Sequence, residues 1–151
     1  MRIQIGDRDL LHLAAGLCLT AALTHALSVP EHYTEFWGYG LVFILIGVIQ
    51  GAYGMLLLLS PWKQNANSNA KTERLDRAFY LFGAAATGAA VFLFIFTRAI
   101  GIPFFGPAAW EIEPITFIGV VTQVIELALL VTLVTLAQRT RTEPAEVPTE
   151  N

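Results

Sequence analysis

Cysteine and charge are what this chain has least of. Cys18 is the only cysteine in 151 residues, so no disulfide can close within the chain. It sits in an apolar run and reads as a small buried hydrophobe. Charged residues make up 14% of the chain and apolar ones 55%, against about 25% and 45–50% in soluble domains. A net charge of −3 with no basic cluster excludes an electrostatic nucleic-acid surface. There is no phosphate-binding glycine loop and no nucleophile with an adjacent base, which disfavours nucleotide and hydrolase chemistry. Glu-x-x-His and His-Glu-x-x-His are also absent.

The sequence is instead rich in long apolar runs. Residues 10–29 hold no Asp, Glu, Lys or Arg and span roughly 30 Å as a helix, the thickness of a bilayer core. Residues 36–59, 78–100 and 115–137 are further long apolar runs, the last two interrupted by Arg98 and Glu126. The expectation is an all-α, four-transmembrane-helix bundle, a single domain over 1–137 with a disordered cytoplasmic tail over 138–151. A cleaved signal peptide is the rival for the first run. Its length, His12 near its start and the lack of a small-x-small site weigh against that. Ser28-Val29-Pro30-Glu31 matches a capping box, so the second helix is expected to start near Val29 with EHYTE as its first turns. Tyr33, Phe36, Trp37 and Tyr39 then read as an interfacial aromatic belt.

With four spans both termini share a side. Arg2, Arg8, Lys63, Lys71, Arg74, Arg77, Arg139 and Arg141 fall there, and only Arg98 falls opposite. The positive-inside rule predicts cytoplasmic termini in the cell (plasma) membrane. The stretch TRAIGIPFFGPAAWEIEP, from Thr97 to Pro114, would then form a Gly/Pro-rich outer cap between helices 3 and 4. Small-residue stripes (Gly47-x-x-x-Gly51, Ala84-x-x-x-Gly88, Ala85-x-x-x-Ala89, and Ala14, Cys18, Ala21 with His25) predict close helix packing, within one chain or in a homo-oligomer.

A few polar residues interrupt these spans. Glu126 lies at the centre of helix 4, where a carboxylate costs a few kcal/mol at least and marks a functional site by default. Thr116, Gly119, Thr122, Gln123 and Glu126 share one broad face, and Gln50 lies in the inner half of helix 2. Two roles stay open for Glu126. One is a proton-relay or ligand group at the foot of an outward pocket. The other is a protonated acid bonded to Gln123, Gln50 or a backbone carbonyl as interhelical glue. Glu31, His32, Glu35, Arg98, Glu111 and Glu113 form an outer polar cluster, in which Arg98 is expected to pair with one of the four acids.

His25, His32 and Glu35 are weak metal candidates by residue type. No cofactor is predicted, although the residue types leave metal and haem open. His12 and His25, 13 residues apart, point about 220° apart around an ideal helix, which disfavours a haem between them.

PEHYTEFWGYG, Gln50 with Tyr53-Gly54, and TRAIGIPFFGPAAWEIEP together resemble a family of small, functionally uncharacterised prokaryotic four-span integral membrane proteins. The resemblance covers most of 10–137 and implies the four-helix fold. It assigns no catalytic residue. Three functions follow as expectations. The first is a non-enzymatic subunit, accessory factor or sensor in a larger membrane complex. The second is a small transport or ligand-binding module using Glu126. The third is a metal- or quinone-binding redox protein.

Overall fold

The computed structural model describes residues 6–60, 70–102 and 104–140, with side chains at 70 and 71 excepted. Residues 141–151 of the expected tail lie outside these residues. The described chain is four helices, α1 (Asp7–Glu35), α2 (Trp37–Leu59), α3 (Ala70–Ala99) and α4 (Phe117–Arg139). Each is long and apolar enough to cross a membrane.

The helix boundaries correct the sequence reading at the first hairpin. Helix α1 does not stop at Ser28 but runs through Pro30 to Glu35. EHYTE is therefore the last part of α1 and not the opening of α2. Ser28 caps nothing; its hydroxyl donates to the Thr24 carbonyl one turn back. The physical reason is backbone satisfaction. A helix that passes through a proline forfeits one N–H donor, whereas an interruption in an apolar environment leaves several groups unpaired. The break comes at Phe36, the single extended residue between α1 and α2. Such a short link forces close contact: a Cβ on Gly40 would lie 2.7 Å from the Tyr33 side chain.

Helix α3 also starts earlier than its apolar run, at Ala70. The polar stretch TERLDR consists largely of residues that helices accept readily. Helix α4 opens at Thr116, whose hydroxyl accepts from the Gly119 N–H at 3.1 Å.

Helix α1 packs along α2 and α4, and α3 packs along α4. Gly47, Gly51 and Gly54 of α2 lie against Ala22 and Cys18 of α1, so that stripe lets the two helices approach closely. The α1 face of Ala14, Cys18, Ala21 and His25 is buried as expected. The α3 stripe is divided, with Ala84 buried in the core. Ala85 and Ala89 are exposed, and a Cβ on Gly88 would meet nothing among the described residues. Helices α2 and α3 approach each other over little of their length. Tyr53 bridges them at one level, stacking on Phe79 at 4.5 Å and donating to its carbonyl at 2.9 Å.

The start of α1 and the end of α4 lie at the same end of the bundle, where Arg139 meets Asp7 at 2.9 Å. An apolar core fills that half: Leu10, Leu57, Tyr80, Leu129, Leu133 and Leu136. The other half carries polar groups and cavities.

At the far end, residues 100–116 fold without regular helix. Trp110 N–H donates to the Ile102 carbonyl at 3.0 Å, and Glu113 N–H reaches the Thr97 carbonyl at 3.4 Å. Gly106 has a φ of 76°, and a Cβ there would collide with the Tyr39 phenol. Tyr39 is buried rather than part of an exposed aromatic belt. Its hydroxyl donates to the Phe105 carbonyl at 2.9 Å and ties this connection to α2. Tyr33 and Trp37 remain exposed.

Candidate functional site

Three helices converge on Glu126. Its side chain is fully buried at 0% exposure. Oε1 lies 3.1 Å from His25 Nε2 of α1 and accepts from Gln50 Nε2 of α2 at 3.0 Å. Oε2 accepts from Gln123 Nε2, one turn earlier on α4, at 2.9 Å. Helical spacing sets the Gln123 contact; tertiary packing sets the other two. A buried carboxyl group needs its lone pairs matched, and here the matching groups come from α1, α2 and α4.

The satisfaction stops one atom short on two of these partners. His25 Nδ1 and Gln50 Oε1 are buried, with no hydrogen-bond partner among the described residues. Both side chains border the gap between α2 and α3. His25 lines a cavity of about 310 Å³ together with Phe43, Phe94, Arg98 and Glu113. Gln50 lines a second of about 350 Å³ together with Tyr53, Thr87 and Ala86. The two cavities share Ile46, Ala90 and Leu93. Their sizes are typical of small-molecule pockets.

The outer cluster is only partly brought together. Arg98 pairs with Glu113 at 3.3 Å, donates to Thr97 Oγ1 at 2.9 Å and covers the Phe94 ring at 3.7 Å. Glu35, Glu111 and Glu113 border one small cavity of about 80 Å³. Glu31 is exposed. His32 turns back to the Ser28 carbonyl at 2.9 Å and stacks on Phe43 at 4.0 Å.

The weak metal set of His25, His32 and Glu35 does not assemble. His25 faces Glu126, and His32 is bonded to its own helix. Among the described residues no three His, Cys, Asp or Glu side chains converge as metal ligands do. His12 is exposed while His25 is buried, in keeping with their opposite helical faces.

Sequence reasoning named Glu126, Gln123, Gln50 and His25 but did not join His25 to Glu126. It also missed Phe43, Phe94 and Tyr39 as cavity walls. Three aromatics near small residues on facing helices were the available hint. No protein-family model, curated protein or solved structure matches this chain.

Proposed function

We propose that this chain is a non-enzymatic multi-pass membrane protein, a sensor or accessory subunit whose working element is a binding site built on Glu126. The observation that carries this reading is the incomplete satisfaction around a fully buried carboxyl group. Three helices supply donors to it, and two of those partners keep a buried polar atom without a partner and line cavities. A purely structural hydrogen-bond knot gains nothing from open polar atoms, since each costs about 1–3 kcal/mol when buried. A bound molecule recovers that cost. The redox reading differs from this one only in what the bound molecule does.

The orientation belongs to the same proposal. The termini face the cytoplasm of the cell membrane, by the excess of Arg and Lys at that end. The 97–114 connection is then an outer cap over the cavities, with Arg98 and Glu113 clasping it. The exposed Ala85 and Ala89 stripe on α3 is the face available for a second copy or a partner helix.

Native mass spectrometry after purification in native-lipid nanodiscs tests the proposal. A stoichiometric co-purifying molecule or chain is expected, and Glu126→Gln should reduce its occupancy. A wild-type protein that carries nothing, with a Glu126→Gln variant that differs from it only in stability, overturns the binding role.

A further inference from the structure

The two cavities, read with the proton bookkeeping of the Glu126 cluster, define the chemistry of the occupant. Glu126 and His25 form a buried acid–base pair deep between helices, where an uncompensated charge is costly. A proton on the Oε1–Nε2 hydrogen bond leaves the pair with no net charge. Whether that proton sits on oxygen or nitrogen, Nδ1 keeps a hydrogen of its own. With Nε2 engaged by Glu126, the unpartnered Nδ1 is the ring nitrogen left for a guest, on a residue that lines the upper cavity. The unpartnered Gln50 Oε1 is a buried acceptor on a residue that lines the lower one.

The remaining walls are apolar. Phe43 and Phe94 flank the His25 cavity, and Ile46, Ala90 and Leu93 carry the groove on to the Gln50 cavity. Ile49 and Phe82 line the lower cavity and are also 58% and 64% exposed. The groove thus opens sideways between α2 and α3, toward the medium around the helices and not only toward the ends. A molecule entering there must be lipid-soluble. Its polar head must offer an acceptor to His25, and its body must suit aromatic walls.

We infer that the α2–α3 groove binds a tailed quinone, its ring carbonyl accepting from His25 Nδ1–H and its apolar tail lying along Ile46, Ala90 and Leu93. The class has a second match. Its reduced form carries hydroxyl donors, the complement of the open Gln50 Oε1. The inference rests on the binding role proposed above and specifies its ligand.

The test is equilibrium binding of a decyl-tailed benzoquinone to the full chain in nanodiscs. Decylbenzene serves as the control without carbonyls, and a saturated fatty acid as the control with a different head. The quinone is expected to bind about tenfold or more tightly than decylbenzene, the effect of one buried hydrogen bond. His25→Phe should abolish that difference while leaving weak binding of both. Ala90→Phe, which fills the groove where the cavities meet, should remove binding altogether. If His25→Phe fails to fold, Ala90→Phe and the ligand comparison still decide. Equal binding of quinone and decylbenzene overturns the inference. So does preferential binding of the fatty acid, but that outcome leaves the Glu126 binding role standing. The role itself is decided separately, by the co-purification experiment given above.

Discussion

The two halves of this bundle solve the same packing problem differently. The half that holds the chain ends closes on leucines and small residues, with Leu57, Leu129 and Leu133 at 0% exposure. The half toward the 97–114 connection holds a carboxyl group, a histidine, two amides and two cavities. In the first half the core is held mainly by non-directional contacts between apolar side chains, where loss of one atom costs packing. In the second the helices are held by directed bonds, with room left beside them. On the function proposed above, the first half keeps the helices together and the second half takes the guest.

Substitutions can break that division, and the largest effect is expected at Glu126. Glu126→Ala removes the common acceptor of His25, Gln50 and Gln123. Stability in mixed-micelle SDS titration should fall by about 3–5 kcal/mol. Glu126→Gln keeps the shape and should cost far less, so the pair separates charge and bonding from volume. Leu133→Ala, in the apolar half, should cost about 2–4 kcal/mol by the same titration through the cavity it leaves. Unlike Glu126→Gln, it should leave the co-purified molecule in place by mass spectrometry. Loss of that molecule from Leu133→Ala would erase the distinction between the halves.

Smaller effects lie at the two ends. Arg98→Met removes an ion pair whose side chains are 14% and 20% exposed, together with the contacts to Thr97 and Phe94. A loss of about 1 kcal/mol is expected, with faster amide exchange confined to the 100–116 connection. Arg139→Ala breaks the Arg139–Asp7 pair, whose side chains are 42% and 68% exposed. Its effect should stay below about 0.5 kcal/mol and vanish in high salt. A large effect there would mean that the chain ends, and not the leucine core, lock that half.

Several of these features are legible without coordinates. Residue 126 is a carboxyl group in a long apolar run, and Gln123 is one turn away, so their mutual bond follows from helical spacing. The Ala14, Cys18, Ala21 and His25 face is a simple periodicity. Ser28-x-x-Glu31 misled because a capping box is a local pattern, and here the helix that contains it had a longer-range reason to continue. Tyr39 misled likewise: its type and place suggest an interface, but the Phe105 carbonyl, 66 residues away, draws its hydroxyl inward.

The sequence by itself determined four long apolar helices, though not where α1 ends or α3 begins, and the presence of an acid within one of them. These follow from local composition and a fixed rise per residue. Tertiary structure alone decided that His25 meets Glu126 across 101 positions, that Arg98 takes Glu113 rather than Glu31, Glu35 or Glu111, and that α2 and α3 leave a groove between them. The reason is physical. Spacing along a chain sets which face of a helix a residue occupies, but only packing sets which faces meet.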